Sequence, residues 1–512
     1  MDGFAYCSIK RGDIMLVEET LPNWLLKRAY LTPDRIALIF NNKKWTFKQL
    51  KEDVISTAKK LHFAGVQKGD RVAVLLKNHP NTVMIIHALQ LLGCEAVLLN
   101  IRLQEKELLF QITDSEVKFL ITEEELLPNK INFHSHLPNA ILINEQIQDL
   151  KEKEFEYVTE FRKKAVCTIM YTSGTTGFPK GVLQTYGNHW SSAIGNILNL
   201  GLQENDAWLT AVPLFHISGY SILIRSVLYG IPVILYDKFD EKRINQDLIA
   251  GKATIVSVVT AMLQRLIDNL GEREYHPALR CFLLGGGPAP VTLLKACKSK
   301  GIPVFQSYGM TETSSQIVTL SPEDSLEKIG SAGKPLFLSE VKIITDNKIA
   351  KPMEIGEIVV KGPNVTIGYY KREETNEKSF TRDGWFYTGD VGYMDEEGFL
   401  FVIDRRSDLI ISGGENIYPA EVENVIQTHP GILEAAVVGI TDEKWGQIPY
   451  GIFVEKDGWH VEEQELQKLC EEQLAKFKVP KKWLKTTNLP KTASNKIMRR
   501  RLREMIENNE WG

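Results

Sequence analysis

A stretch of small and hydroxylated residues follows an apolar run in the first half of the chain. Residues 171–181 read YTSGTTGFPKG and include three glycines. Glycine lets the backbone bend where a side chain would clash, and the exposed N–H groups and hydroxyls can then bind phosphate oxygens. The Walker A pattern GxxxxGK[ST] does not occur, so the segment predicts a phosphate loop of another kind rather than a flexible surface loop. Its candidate ligands are Thr172, Ser173, Gly174, Thr175, Thr176, Gly177 and the positively charged Lys180.

A second motif, SYGMTET at residues 307–313, follows the apolar run IPVF. Tyr308 offers a flat face on which a base could stack, and Glu312 is a hard oxygen ligand suited to Mg²⁺ beside a triphosphate. In isolation the same residues are equally compatible with a strand-to-helix turn capped by a threonine. The glycine run Gly285–Gly287 is weak evidence alone, because turns of many kinds use glycine.

Two further patterns have ordinary explanations when each is taken alone. The segment YTGD at residues 387–390 is predicted to lie on a hairpin, where aspartate is common. Near the C-terminus, residues 490–499 read PKTASNKIMR, and a basic segment of this kind could be the solvated start of a helix. The order of all these segments along the chain is more informative than any one of them.

Taken in order, the segments resemble the signature motifs of the adenylate-forming superfamily, which contains acyl-CoA synthetases, luciferases and nonribosomal adenylation domains. The resemblance covers nearly the whole chain. It implies an α/β enzyme that uses ATP and Mg²⁺ to convert a carboxylate into an acyl-adenylate, from which coenzyme A displaces AMP. The expected partners are therefore small molecules. A non-catalytic nucleotide-binding protein is the alternative from another class, but Lys496 and Glu312 at the motif positions speak against it.

The resemblance assigns roles to individual residues. It implies Lys496 as the catalytic lysine that bridges the substrate carboxylate and the α-phosphate, with Thr175 and Glu312 as further catalytic groups and Glu312 as the metal ligand. Asp390 is implied to accept hydrogen bonds from both ribose hydroxyls, because its two oxygens suit a vicinal diol. The other implied ATP or AMP contacts are Thr172, Ser173, Gly174, Thr176, Gly177, Lys180, Gly286, Tyr308, Thr311 and Arg405.

The same resemblance implies a hinge at Ser407, about which the C-terminal domain rotates so that one adenylate meets first Lys496 and later the thiol. Gly413 and Gly414 would border the channel for coenzyme A. Two positions depart from the commonest pattern. Many relatives carry Asp or Lys at the hinge, and Asn495 stands where a glycine usually precedes the lysine. Asparagine tolerates left-handed backbone better than most other residues, so this turn can survive.

The identity of the acid depends on a narrower resemblance. Four segments are most similar to superfamily members whose acid carries two carboxylates. They are residues 213–219, 284–290, 305–316 and 407–420. The carboxylate that is not activated needs a polar or cationic partner, and Arg225 is the candidate counter-ion. A ligase for a fatty or aryl acid is the main alternative. The implied pocket residues are His216, Arg225, Gly285, Gly287 and Ser307, although a satisfied core histidine would also explain His216.

The composition is that of a soluble globular chain. It has 512 residues, 43% of them hydrophobic, and a formal net charge of −4. Ordinary apolar content excludes disorder over most of the length, and the near-neutral balance argues against nucleic acid or an anionic membrane as the main partner. Six scattered cysteines, with no targeting or membrane-spanning pattern, predict a cytoplasmic protein without membrane insertion. A homo-oligomer is compatible with all of these features.

Alternating apolar runs and helical stretches up to about residue 320 predict an α/β fold with strands buried between helices. We expect a large N-terminal body of two mixed α/β sheet lobes plus a small β-rich region after residue 340, where Asp-Gly and Glu-Gly turns join short strands. A small mobile α+β C-terminal domain follows. The expected boundaries are a loose tail at 1–20, an ATP- and acid-binding domain at 21–404 and a C-terminal lid at 405–512.

Overall fold

The structure is a computed structural model. It describes residues 19–103, 105–127, 140–172, 179–286, 289–405, 408, 410–412, 415–417, 419–442, 445–474, 476–492, 496–508 and 510. For residues 105, 106, 140, 404, 405, 411, 415, 416, 421 and 446 it describes the backbone only.

Strands and helices alternate through the first 310 residues, as the apolar runs predicted. The strands are β1 (Thr20–Pro22), β2 (Ile36–Phe40), β3 (Lys43–Thr46), β4 (Arg71–Leu75), β5 (Glu95–Leu98), β6 (Phe119–Thr122), β7 (Ala140–Ile143), β8 (Glu160–Arg162), β9 (Val166–Thr172), β10 (Lys180–Thr185), β11 (Trp208–Thr210), β12 (Val233–Leu235), β13 (Ile255–Val259), β14 (Cys281–Gly285) and β15 (Val304–Met310). The helices are α1 (Trp24–Leu31), α2 (Phe47–Phe63), α3 (Pro80–Leu92), α4 (Glu105–Asp114), α5 (Asn144–Ile147), α6 (Tyr186–Leu200), α7 (Ile217–Tyr229), α8 (Glu241–Ile249), α9 (Thr260–Leu270) and α10 (Val291–Ser299).

The remainder of the chain is richer in strands. They are β16 (Ser315–Leu320), β17 (Ser331–Pro335), β18 (Glu340–Thr345), β19 (Lys348–Ile349), β20 (Gly356–Lys361), β21 (Phe386–Met394), β22 (Leu400–Arg405), β23 (Ile410–Ser412), β24 (Glu415–Ile417), β25 (Ile432–Asp442), β26 (Gly446–Glu455) and β27 (Lys482–Lys485). The helices are α11 (Glu373–Ser379), α12 (Pro419–Ile426), α13 (Glu463–Gln473) and α14 (Arg499–Glu507), and two 3₁₀ turns span Glu124–Leu126 and Thr311–Thr313.

The first sheet has the strand order β10-β9-β5-β4-β6-β7. Its neighbours are parallel except for β9 and β10, which are antiparallel and flank the predicted phosphate loop. Helix α3 is almost entirely inaccessible to solvent. Strands covered on both faces read as continuous apolar runs, which is the pattern of RVAVL in β4 and FLIT in β6.

The second sheet is a single path of 14 strands, in the order β19-β18-β20-β21-β22-β17-β16-β15-β14-β13-β11-β12-β2-β3. Its centre, from β15 to β2, is parallel, and the ends are antiparallel. The β-rich region predicted after residue 340 therefore continues the second lobe through β16 and β17. The two strongest motifs lie at the ends of β9 and β15, and these two strands belong to different sheets.

The C-terminal domain has its own sheet, in which β24, β23, β26 and β25 lie in that order and β27 pairs with β26. Its core is separate from those of the body and includes Val422, Val437, Phe453 and Leu466. The sheet of the body ends at β22 and this sheet begins at β23, so the predicted hinge at Ser407 falls between two sheets. Ser407 itself lies outside the described residues.

The tail predicted at residues 1–20 overlaps the described residues at its C-terminal end. Residues 1–18 lie outside the described part of the chain, but Thr20 begins β1 and pairs with Arg162 of β8. Backbone pairing of this kind is invisible to local periodicity, because the partner strand is distant in sequence. Across the described ranges, every helix is too short or too polar to cross a bilayer.

Candidate active site

Glu312 lies where the two sheets of the body meet. Its side chain is 9% exposed and sits in the turn after β15. The Tyr369 hydroxyl donates to Glu312 Oε1 at 3.0 Å, and the Thr172 hydroxyl, at the end of β9, lies 3.5 Å from the same oxygen. The first sheet, the second sheet and the segment after β20 thus converge on one carboxylate.

Lys180 approaches the same point from the other side of the phosphate loop. Its Nζ lies 5.2 Å from the centroid of the Tyr369 ring, within the range of a cation–π contact. Tyr369 therefore links the loop lysine to Glu312, and it was missed in the sequence analysis. The segment around it, GYYK, carries no pattern that points to chemistry, since its role depends on partners far away in the chain.

A buried hydrogen-bond network supports the turn that carries Glu312. Gln184 Nε2 donates to the Thr311 carbonyl at 2.7 Å, and the Thr168 hydroxyl donates to Gln184 Oε1 at 2.8 Å. His189 Nε2 lies 2.9 Å from the Thr168 hydroxyl. Burial, together with the charge of Arg225, lowers the pKa of His189 to about 3. The imidazole is neutral at physiological pH and carries one ring proton. Because the Thr168 hydroxyl donates to Gln184, the tautomer with that proton on Nε2 completes the network.

Tyr308 and Asp390 are in direct contact. The Tyr308 hydroxyl donates to Asp390 Oδ2 at 2.8 Å, and Asp390 is buried. Asp390 on β21 pairs with Arg405 on β22 in the strand register. The structure therefore brings together a tyrosine, an aspartate and the backbone position of an arginine, all of which the sequence assigned to the nucleotide. The side chain of Arg405 lies outside the described atoms.

The glycine turn after β14 packs against the SYGMTET motif. The Ser307 hydroxyl donates to the Leu284 carbonyl at 3.0 Å, and a Cβ at Gly285 would lie 3.3 Å from Ser307 Oγ. Gly286 has φ +87°, a left-handed conformation that other residues adopt only with strain. Close packing and backbone conformation thus both require small residues here. Gly287 is outside the described residues.

His216 lies immediately before α7, at the N-cap position of the helix. Its Nε2 is buried and has no hydrogen-bond partner among the described residues. Burial, followed by the positive charges of Arg102 and Lys496, lowers the pKa of His216 to about 4. The imidazole is therefore neutral near pH 7.

Arg225 lies on α7, nine residues after His216, and is 2% exposed. Its guanidinium sits 5.4 Å from the Trp208 ring, and within the described part of the chain its Nε and Nη2 have no hydrogen-bond partner. Burial lowers the pKa of this guanidinium, yet arginine remains charged in proteins. A buried cation with unmet donors is costly unless an anion pairs with it, so this position suits a carboxylate ligand.

Lys496 lies in a narrow loop before α14. The Thr492 backbone N–H donates to the Lys496 carbonyl at 2.7 Å, and the Lys496 N–H donates to Thr492 Oγ1 at 3.2 Å. These two hydrogen bonds close the loop around the lysine. Residues 493–495, including Asn495, are outside the described residues.

The site can hold a divalent cation of the Mg²⁺ type. Mg²⁺ is usually bound through one or two carboxylates together with substrate phosphates and waters. The described residues contain no cluster of three or more His, Cys, Asp or Glu side chains arranged for a metal, but Glu312 offers one buried carboxylate beside the Thr172 hydroxyl. This hard-oxygen set fits a cation shared with a triphosphate. The predicted residues outside the described part of the chain are Ser173, Gly174, Thr175, Thr176, Gly177, Gly287, Ser407, Gly413 and Gly414.

The chain belongs to the AMP-binding enzyme family. Residues 25–370 match this family, and residues 421–496 match the AMP-binding enzyme C-terminal domain. The superfamily membership predicted from the motifs is thereby confirmed.

Within the family, one group of relatives is particularly similar. The chain is 52% identical over 496 residues to a 2-succinylbenzoate–CoA ligase of Geobacillus sp. (strain WCH70), covering 97% of this chain and 100% of that protein. The o-succinylbenzoate CoA synthetase (MenE) from Bacillus subtilis, solved in complex with the acyl-adenylate intermediate OSB-AMP, matches with a TM-score of 0.91 and 49% identity over 94% of this chain and 98% of that one. The same enzyme in complex with ATP and a magnesium ion matches with a TM-score of 0.89 and 48% identity, over 94% and 100% of the two chains. The predicted fold class is confirmed by these matches.

Proposed function

We propose that this protein is an AMP-forming acid–thiol ligase that joins 2-succinylbenzoate to coenzyme A in menaquinone biosynthesis. The observation that carries the proposal is the 52% identity to a 2-succinylbenzoate–CoA ligase over 97% of the chain. It agrees with the motif segments at residues 213–219, 284–290, 305–316 and 407–420, which resemble the same ligase most closely. The buried cation Arg225 suits this substrate, because 2-succinylbenzoate has a second carboxylate that is not activated.

The reaction has two half-reactions at one site. A carboxylate oxygen of the acid attacks the α-phosphorus of ATP, and pyrophosphate leaves, which gives an acyl-adenylate. The thiol of coenzyme A then attacks the acyl carbon, and AMP leaves with the oxygen that came from the acid. No covalent bond to the protein is needed, so the protein contributes positioning and charge stabilisation.

The proposed catalytic groups divide between the two domains. Lys496 bridges the substrate carboxylate and the α-phosphate and stabilises the negative charge that develops there. Thr175 and the other residues of the phosphate loop bind the β- and γ-phosphates with Lys180. Glu312 would hold Mg²⁺, which supplies Lewis-acid stabilisation of phosphate charge when bound. Tyr369 keeps the Glu312 carboxylate oriented through its 3.0 Å hydrogen bond.

The nucleotide contacts follow from the packing around β15 and β21. Tyr308 stacks on adenine, and its hydroxyl orients Asp390, which accepts hydrogen bonds from the ribose hydroxyls. Arg405, opposite Asp390 in the register, reaches the ribose or the α-phosphate. The further contacts proposed for the nucleotide are Thr172, Ser173, Gly174, Thr176, Gly177, Gly286 and Thr311.

The acid pocket lies between α7 and the glycine turn. We assign His216, Gly285, Gly287 and Ser307 to its lining, with His216 neutral because of its lowered pKa. Arg225 would pair with the carboxylate that is not activated, directly or through water, since two of its nitrogens have no partner among the described residues. Gly413 and Gly414 would border the channel through which coenzyme A enters after rotation at Ser407.

The second candidate is a ligase for a fatty or aryl acid, which needs no counter-ion deep in its pocket. A pyrophosphate-release assay with 2-succinylbenzoate, benzoate and mid-chain fatty acids separates the two functions. We expect kcat/KM for 2-succinylbenzoate to exceed that for the monocarboxylates by about 100-fold, the size expected when a buried ionic group is left unpaired. Strong preference for a fatty acid would contradict the substrate assignment.

We also propose that the enzyme works in the cytoplasm. Cysteines 94, 167, 281, 297 and 470 are all buried and free, which suits a reducing compartment. ATP and coenzyme A, the proposed co-substrates, are supplied there.

A further inference from the structure

One partly buried arginine, Arg499, connects the loop that carries Lys496 to the chain leaving the proposed hinge. Arg499 is the first residue of α14 and lies three positions after Lys496. Its Nε and Nη2 donate to the two carboxylate oxygens of Glu423 at 3.1 and 2.6 Å, and its Nη1 donates to Asp408 Oδ2 at 3.1 Å. The Arg499, Glu423 and Asp408 side chains are 16%, 9% and 21% exposed, so salt and water screen this network less than a surface ion pair.

Each partner of Arg499 belongs to a different part of the C-terminal domain. Asp408 directly follows Ser407, in the segment between β22 and β23. Glu423 lies on α12, and its Oε1 also accepts a hydrogen bond from the Val437 N–H of β25 at 2.7 Å. One guanidinium therefore joins the start of α14, the exit of the hinge and the central sheet of this domain. A lysine could not do the same, because it is a point charge without a planar fork.

The loop that carries Lys496 directly precedes Arg499 in the chain. The Met498 N–H donates to the Pro490 carbonyl at 2.9 Å and closes the base of the loop, and the two hydrogen bonds between Thr492 and Lys496 close it higher up. These hydrogen bonds connect the backbone of Lys496 to the segment that leads into α14, where Arg499 is the first residue.

The attachment of α14 to the domain has other contributors. Leu502 is completely buried in an apolar cluster with Val438, Ile452 and Leu489, and Arg503 Nε donates to the Gly439 carbonyl at 3.1 Å. These contacts hold the middle of the helix on the sheet without Arg499. The Arg499 network acts instead at the first turn of the helix, next to the loop and the hinge.

We propose that Arg499 is a positioning residue for adenylate formation. It holds the Lys496 loop in a fixed orientation relative to the chain that leaves the hinge. Domain closure then brings the lysine to the acid and the α-phosphate. The inference rests on the proposed function and on the role proposed for Lys496. Thiolysis occurs after the domain has rotated and does not use Lys496, so the network serves the first half-reaction alone.

The test compares both half-reactions in Arg499→Lys and Asp408→Asn, with Arg500→Lys as the matched control. Arg500 is the next residue on α14, is 71% exposed, and pairs along the helix surface with Glu504 at 3.0 Å. Pyrophosphate release reports adenylate formation, and AMP release from a supplied acyl-adenylate with coenzyme A reports thiolysis. We expect kcat for adenylate formation to fall about ten-fold or more in both test variants, as for a misplaced catalytic group. The KM for ATP, the rate of thiolysis and the Arg500→Lys control should stay at parent values.

Two test variants are used because a substitution at Arg499 could lower activity by destabilising the fold. Asp408→Asn removes the negative charge from the link to the hinge and leaves the Glu423 bridge. Its half-reaction ratio therefore decides the question if Arg499→Lys lowers the melting temperature. Equal loss of both half-reactions, or unchanged adenylate formation, in Asp408→Asn would overturn the positioning role. A parent enzyme that releases no pyrophosphate with any of the acids would instead contradict the proposed function.

Discussion

Lys496 is the residue on which the proposed first half-reaction depends most. It belongs to the C-terminal domain, yet its charge contributes to the lowered pKa of His216 in the body. Lys496→Ala should therefore slow ATP-dependent pyrophosphate release by about 100-fold or more, the size of effect seen when a charge-stabilising donor is removed. Thiolysis of a supplied acyl-adenylate should continue, because the second half-reaction does not use the lysine.

The control for this prediction is Lys468→Ala, which removes an exposed lysine from α13 of the same domain. Both half-reactions should be unchanged in that variant. Pyrophosphate release at the parent rate in Lys496→Ala would show that the lysine is not the adenylation group.

Some of the site could be predicted from residue types and their order, and some could not. Tyr308, Glu312 and Asp390 stand in short motifs whose chemistry can be recognised locally, and the structure places Tyr308 against Asp390. Tyr369 has no such motif, because its partner Glu312 lies 57 residues away. Gln184 was missed for the same reason: its hydrogen bond to Thr311 spans 127 residues. Contacts of this kind exist only after the two sheets have come together.

At the scale of secondary-structure elements, the segment between β22 and β23 connects the sheet of the body to the sheet of the C-terminal domain. Few residues separate the two strands, so a rotation between the sheets must be absorbed by a few backbone dihedrals. Ser407 lies within this connection. We therefore keep it as the proposed hinge, with a test that changes backbone freedom rather than side-chain chemistry.

Ser407→Pro should stop steady-state turnover while a single round of adenylate formation survives. Proline fixes φ near −65°, so the connection can retain one domain orientation but cannot alternate between two. A quench-flow measurement should show a burst of enzyme-bound acyl-adenylate followed by little release of acyl-CoA. Ser407→Ala keeps backbone freedom and should turn over like the parent. Equal loss of the burst and of turnover in Ser407→Pro would count against the hinge.

The strands of the body show where prediction from local pattern ends. The spacing of Leu50, Val54, Ala58 and Leu61 indicates a helix, and α2 is present there, with its start fixed by a capping box between Thr46 and Gln49. The run IALIF indicates a strand at β2, but it pairs with β12, almost 200 residues later in the chain. Periodicity reports which residues are buried, whereas the choice of partner strand depends on the whole topology.

At the scale of the molecule, the proposed function has a large body bind ATP and the acid while a smaller domain brings Lys496 to them. The modest net charge of −4 is consistent with this design, because the proposed ligands are small anions and each is met by a few placed cations. Arg225, Lys180 and Lys496 are the cations that we propose for this role. A broad basic surface would be needed only for a polymeric anion.

The central claim is that the acid is activated as an acyl-adenylate before coenzyme A attacks. The most direct test uses 2-succinylbenzoate labelled with oxygen-18 in both carboxylates, together with ATP, Mg²⁺ and coenzyme A, and mass spectrometry of the products. The oxygen that attacks the α-phosphorus stays on AMP when the thiol displaces it. We predict AMP that carries one oxygen-18 atom and pyrophosphate that carries none. Unlabelled AMP, or label in ADP or inorganic phosphate, would contradict activation through an acyl-adenylate.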